Sequence, residues 1–564
     1  MTGRLTQVAF PDGRNETFTY HPDGKLASIT EVGVDGTTTR TWSLTWTGDD
    51  LTRLDRPDGT AWLLTYGDAA NPGYLTRQEL LGKEGGVRIE RAWEHDGQGN
   101  VLRTWRGAAA HDDPAAVDLW TFSYDDSFEP AVTEVTDPLG QVATHTLDRD
   151  PASTKPRVQA ISGDCPACGL GPSAQLSYGD SANPLKPTLI TDGKGHRTLL
   201  TYDGNGMLTS RTEALGEPEE RTTTWTYHSS YPALPTLIEQ PSVDGGASLR
   251  TTTFVYDSSG ALVEQIEEGV ENGSAFLLST IDTVNAAGET TSVNPPGYGT
   301  TDATIFTHDP VRGNLIPLTR TDPLIGTTSF GYDPLNRRTS VTDPNGVTIE
   351  TEYDELSRVT RITQKGEVTA EDLTTQQAYS EFGDLLRTIL PRGNVVEYGF
   401  DQAGRLVAIE RKPDAATPAE RTLFTLDPAG NRIREELQSW TGAAWETASA
   451  TDFVYSTRCH LDRIVQAPGT PEEAITDYAF DCNGNLAQVW DANRSSAVDP
   501  PSTTYAYDAL DRLVSLTQPW AGGGTAVTAY TFDVQDHLTA VTDAEGNTTT
   551  YTYSDRDLLT REVS

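Results

Sequence analysis

Apolar and polar residues alternate along most of this chain with a period of two. In TTTYTY (548–553) the threonines Thr548, Thr550 and Thr552 fall on one side of the alternation and Tyr551 and Tyr553 on the other. A period of two places alternate side chains on opposite faces of a β-strand. The alternating runs are short and end at a recurring phrase. It stands as YHPDGKL at Tyr20, YDGNGML at Tyr202, YDSSGAL at Tyr256, YDPLNRR at Tyr332 and YDELSRV at Tyr353. Further copies are FDQAGRL at Phe400, LDPAGNR at Leu426, FDCNGNL at Phe480 and YDALDRL at Tyr507, with degenerate ones at His95 and Tyr379.

Each phrase predicts a hairpin turn. An aromatic ends a strand, Asp caps a turn through the following backbone, two free positions pass, and a residue that tolerates positive φ comes next. That slot holds Gly206, Gly260, Gly404, Gly430 and Gly484, or Asn336, Asp511, Asp536 and Asp557, with Ser357 and Cys459 as weaker fits. The expected geometry is a type I turn followed by a left-handed bulge residue, with φ > 0 at Gly206, Gly260, Gly404 and Asn336. A second punctuation lies between these: TDPLG at Thr136, TDGKG at Thr191, TDPNG at Thr342 and TDAEG at Thr542. A unit is therefore strand, Asp-led turn, strand, Asp-led turn.

The units repeat in phase. Tyr332 and Tyr353, Tyr379 and Phe400, and Phe532 and Tyr553 each stand 21 residues apart, and other copies are stretched to 25. A fixed period with insertions marks a repeat architecture. We expect one antiparallel strip over 1–564, more than two-fifths strand and under a tenth helix, with the weakest repeat match near 100–180. Gly3-Arg4-Leu5 matches the second half of the phrase, so the chain is expected to open mid-repeat, and YSDRDLLTREVS closes it inside another.

Composition supports strands without a large core. Only 36% of the 564 residues are apolar, two are methionine, 50 are glycine and 33 proline, yet 46 are aromatic, which argues against disorder. The net charge of −40, from 42 basic and 82 acidic residues, disfavours nucleic acid and anionic lipid as partners. No run approaches 18 apolar residues, so membrane insertion is not expected, and MTGRLTQVAF has no apolar signal core.

Candidate chemistry is sparse. Gly-x-Ser-x-Gly, His-Glu-x-x-His and phosphate-binding glycine loops are absent from the sequence, so no catalytic, cofactor-binding or metal-binding residue is assigned and no cofactor is expected. The Asp/Gly clusters such as DGNG (203–206) read as turns rather than calcium loops. His21, His95, His228 and His308 fall in or beside turns and read as turn substitutions. The tryptophans Trp42, Trp46, Trp62, Trp93, Trp105 and Trp120 read as cross-strand packing, with a glycan platform as the alternative. Cys165 and Cys168 form a Cys-x-x-Cys loop, half of a structural zinc site, and read as a local disulfide or quiet thiols. Cys459 and Cys482 lie in turns of successive repeats, about 9.6 Å apart at two strand spacings, too far for a disulfide.

The Tyr-Asp-x-x-Gly-Arg-Leu phrase with Thr-Asp-x-x-Gly between copies resembles the Rhs/YD-repeat family of bacterial polymorphic toxins, insecticidal toxin-complex shell subunits and teneurin shells. The resemblance implies an all-β fold, a hollow spiral shell built from an antiparallel hairpin strip. In the toxin members the shell encloses a C-terminal effector released by an aspartyl autoprotease. This sequence has no Asp-Pro-x-Gly-Leu-like closing segment, so neither protease nor effector is carried over. The implied function is a secreted or cell-surface, non-catalytic shell wall, with an enclosed toxin or effector polypeptide and secretion-system components as partners. The alternative is an extracellular adhesion or glycan-binding protein, with a cell-surface glycan as its ligand.

Overall fold

The structure is a computed structural model that describes residues 3–67, 71–125, 131–151, 153, 155–163, 173–245, 248–285, 289–297, 301–309, 316–456, 460–492, 499–520 and 523–564. Strand makes up more than half of the chain. Among the described residues there is no α-helix, and a single 3-10 turn spans Thr369–Glu371. The 45 strands among the described residues form one sheet in which strands neighbouring in sequence pair antiparallel. Among the described residues no helix is long and apolar enough to cross a membrane.

The aromatic of each phrase ends its strand, and the ladder shifts register there. Tyr353 pairs with Val359 beyond a bulge after Glu352, and Tyr20, Tyr202, Tyr332, Phe400 and Tyr507 behave alike. The bulge arises because the left-handed residue adds one position to the turn. Gly206, Gly260, Gly404 and Asn336 have φ of 79°, 88°, 75° and 60°, as the phrase requires. Ser357 adopts 65° as well, so serine fills the slot despite its weaker preference.

The alternation places the two faces as expected. In the strand Thr39–Thr47, Thr39, Thr41, Ser43, Thr45 and Thr47 are exposed, whereas Arg40, Trp42, Leu44 and Trp46 are half-buried. Hydroxyls on the exposed side pair across strands, as in Thr30 with Thr41 at 3.0 Å and Thr542 with Thr548 at 2.8 Å. Burial is shallow. The buried apolar residues are mostly alanines, and Val395, Thr60, Asp555, Ser242 and Ser554 are the largest fully buried side chains. The chain exposes 30199 Å² at 61.2 kDa, where a compact protein of that mass exposes about 20,000 Å².

Contacts divide the chain into two compact units. One joins Met1–Thr121 with Asp282–Ala450, and the other joins Phe122–Ile281 with Thr451–Ser564. Each unit thus brings together two stretches of strip that are far apart in sequence.

Candidate functional site

The repeated turn is the first place where polar chemistry concentrates. Asp333 Oδ1 accepts hydrogen bonds from the backbone N–H of Leu335 and Arg337, at 2.9 and 3.0 Å. Asp354, Asp401 and Asp508 repeat both bonds. The second carboxylate oxygen holds the arginine of the phrase: Arg337, Arg358, Arg405 and Arg512 each donate through Nε to their own turn Asp at 2.6 to 2.8 Å.

That arginine also reaches the next repeat. Arg337, Arg405 and Arg512 donate through Nη1 to the carbonyls of Asp354, Asp427 and Asp533, at 2.6, 2.8 and 2.7 Å. The guanidinium lies over the next aromatic as well, 5.0 Å from the Tyr353 ring for Arg337 and 5.1 Å from Phe532 for Arg512. Most phrase tyrosines bond backwards in turn, for example Tyr353 Oη to the Arg338 carbonyl at 2.8 Å and Tyr507 Oη to the Leu486 carbonyl at 2.9 Å. Tyr20 donates likewise to the Leu5 carbonyl and lies beneath Arg4, which matches Gly3-Arg4-Leu5 to the second half of the phrase.

Within each unit a second set of contacts joins the distant stretches. In the first unit, Val34 N–H donates to the Pro334 carbonyl at 2.8 Å, Arg40 to Ser357 Oγ at 2.6 Å, and Arg88 to Asp384 Oδ2 at 2.7 Å. In the second, Asp555 is 1% exposed and accepts from Ser242 Oγ, Val243 N–H, Val270 N–H and Gln535 Nε2 at 2.7 to 2.9 Å. Lys194 sits between Asp481 and Asp511 at 3.0 and 2.9 Å. Burial of Asp511 works against its charge, but hydrogen bonds from Lys194, Asn483 and Asn485 outweigh this and hold the carboxyl below the usual range. The geometry is constant: the residue after the turn Asp or Ser, such as Pro334, Glu381, Cys482 or Asp555, seats on Gly33, Gly82, Gly193 or Gly269. A Cβ on Gly33 would stand 2.7 Å from the Pro334 carbonyl oxygen, so only glycine admits the approach. This joint was missed by the sequence reading, and its one local signal is a glycine at or just before a turn.

The family described as RHS Repeat matches residues 311–348, 332–369, 480–525 and 532–564. These segments carry RHS repeats. The matched segments include the phrases at Tyr332, Tyr353, Phe480, Tyr507, Phe532 and Tyr553, while the same turn geometry recurs outside them, as at Tyr202 and Phe400. Among solved structures, the crystal structure of TcdB2-TccC3 is similar at 14% identity and a TM-score of 0.40, over 96% of this chain and 34% of that one. The structure titled TcdB2-TccC3 without hypervariable C-terminal region gives 13% and 0.39, over 97% and 35%. The Photorhabdus luminescens Tc holotoxin pore gives 13% and 0.37, over 97% and 35%. The chain thus spans about a third of the length of the solved chains it matches. No curated protein matches it.

The remaining candidates fall into the chemistry of the repeated turns. His228 Nδ1 accepts from the N–H of Ser230 and Tyr231, both at 3.1 Å, and so replaces the turn aspartate. His21 N–H and Gly24 N–H make the backbone bonds of a standard phrase turn. His95 and His308 pair at bulges, opposite Val101 and Pro317. Trp105 is buried, and Trp42, Trp46, Trp62, Trp93 and Trp120 are half-buried. Trp42 faces Ile29 across the ladder and Trp62 faces Leu54 and Leu80. Cys482 is an exposed free thiol. Cys165, Cys168 and Cys459 lie outside the described residues, and so does the expected separation of Cys459 from Cys482. Among the described residues no cluster of His, Cys, Asp and Glu could hold a metal ion.

Proposed function

We propose that this RHS-repeat chain is the wall of a container that encloses an effector polypeptide and performs no catalysis of its own. The observation that carries the reading is the joint within each unit. Stretches of strip 285 to 317 residues apart are joined turn against turn by buried and half-buried hydrogen bonds, while the sheet itself stays thinly buried. Such construction encloses space at low cost in apolar residues, and it suits a chain with 36% of them. One face presents threonine and serine in ranks, a surface that hydrates well and holds an unfolded polypeptide weakly.

The polar groups serve turns and joints, which is why the reading assigns no catalytic residue. The tryptophans expected to decide for a glycan-binding surface are half-buried or buried, so that alternative gains no platform from them. By the same reading the chain acts as a secreted or cell-surface component, with the enclosed effector and the exporting machinery as partners.

The test is to fuse a natively unfolded reporter polypeptide after Ser564 and follow its digestion by a nonspecific protease. Enclosure requires the reporter to survive in the fusion and to be degraded once the chain is denatured. Digestion at the rate of the free reporter would overturn the proposal.

A further inference from the structure

The turns between phrases have two different fates within the first unit. Those of the early stretch are covered at their entry, though their tips stay exposed. Gly33 and Gly82 are buried under Pro334 and Glu381, and Asp12 and Asp58 are 7% and 6% exposed. Those of the later stretch are bare. The turns at 322–326, 343–347, 365–372 and 390–394 join four successive hairpins and therefore lie along one edge of the sheet, about 9.6 Å apart. They present Leu324, Ile325, Val347, Val368 and Leu390 at 97, 71, 38, 57 and 39% exposure. Val34, at the corresponding place on the covered edge, is half-buried by the docked turn.

A further row of phrase turns does not suit this bare edge. On the covered edge the docked turns are held by arginines at the strand starts: Arg40 to Ser357 Oγ and the Glu355 carbonyl, and Arg88 to Asp384. The four strands that follow the bare turns begin Gly-Thr, Thr-Ile, Leu-Thr and Val-Val, with no cation. The edge instead carries Asp322, Asp343, Glu367, Glu371 and Asp372 against Arg320, Lys365 and Arg392, and Arg320 and Lys365 are already paired with Asp322 and Asp372 at 3.0 and 2.6 Å, which leaves Asp343, Glu367 and Glu371 against Arg392. An Asp-led turn would meet like charge here. The same acidity disfavours a second copy of a chain whose net charge is −40.

We propose that the turn edge over residues 322–394 is a docking surface for a polypeptide partner whose contacting face sets apolar side chains among lysines and arginines. Apolar side chains repeated at two-strand spacing supply the area to be desolvated, and the intervening carboxylates select the sign of the partner. The inference does not depend on what the wall encloses.

The experiment uses the full chain and two short fluorescent peptides, one alternating leucine with lysine and one alternating serine with lysine, followed by anisotropy. The leucine peptide should bind, and the serine peptide should bind about tenfold more weakly. The double substitution Leu324→Ser with Ile325→Ser should weaken the leucine peptide by a similar factor. Leu277→Ser, which removes an apolar side chain 62% exposed elsewhere, should leave it unchanged. Equal binding of the two peptides, or equal binding to the parent and the double variant, would overturn the proposal. Sedimentation decides the remaining case: chain dimers abolished by the same double substitution would give the edge to a second copy and also overturn it.

Discussion

Arg405 joins two repeats with one side chain. Its Nε donates to Asp401 Oδ2 at 2.7 Å and its Nη1 to the Asp427 carbonyl at 2.8 Å, with the side chain 19% exposed. Both bonds are charge-assisted, and the planar guanidinium satisfies them together from one position. Arg405→Ala should therefore destabilise the two hairpins by about 2 kcal/mol. Arg405→Lys should recover less than half of that, because a single ammonium cannot hold both acceptors in the fork geometry. Hydrogen exchange of the amides at 401–431 reads this directly. Full recovery by lysine would show that charge alone matters and that the bridging geometry does not. The turn aspartate and its left-handed residue were legible in the sequence because both act within five residues. The arginine bridge was not, since it spans 22 residues and the repeats vary in length.

At the scale of the hairpin, the fold follows from the alternation and the turn chemistry, and both could be read directly. Strand, bulge and turn recur at Tyr202, Tyr332, Tyr353 and Phe400 as the phrase demands. What the sequence hid is the docking of one hairpin row on another. Its partners are about 300 residues apart, and its only local trace is a glycine that looks like any turn glycine. Gly33 separates the two roles. It lacks positive φ, so its need is space beside Pro334, whereas Gly36 in the same turn has φ 68° and nothing near its missing side chain. Gly36→Ala should cost about 1 kcal/mol of backbone strain confined to its own turn. Gly33→Ala should push the Pro334 turn away, raising exchange at Val34 and across 333–337 together. Exchange that rises only around residue 33 would count against the docking contact.

Across the molecule, the balance is between a net charge of −40 and half-buried ion pairs built on a few cations. Lys194 is paired with Asp481 and Asp511, and Arg14 with Asp12 and Glu31. For Asp12, Asp481 and Asp511, burial raises the pKa but hydrogen bonds and the neighbouring cation prevail, leaving each below its ordinary value. A carboxylate with a depressed pKa in the folded state contributes stability above its unfolded value of about 4, and that contribution is lost as pH falls through the folded value. Lys194 is shifted upward by its two aspartates against the opposing effect of burial, so its contribution is complete below about pH 10 and fades as pH rises through its folded pKa. Acid has an opposite effect too, because titration toward the isoelectric point near 4.4 relieves self-repulsion. The two effects separate in Lys194→Met. This substitution removes the cation that depresses Asp481 and Asp511 while hardly altering net charge, so the variant should be less stable than the parent at pH 7. The difference should shrink as pH falls below about 4, where the parent loses the same ion pairs. Urea midpoints at pH 7, 5 and 3 measure this, and a difference that stays constant over that range would place the joint's stability in packing rather than in its charges.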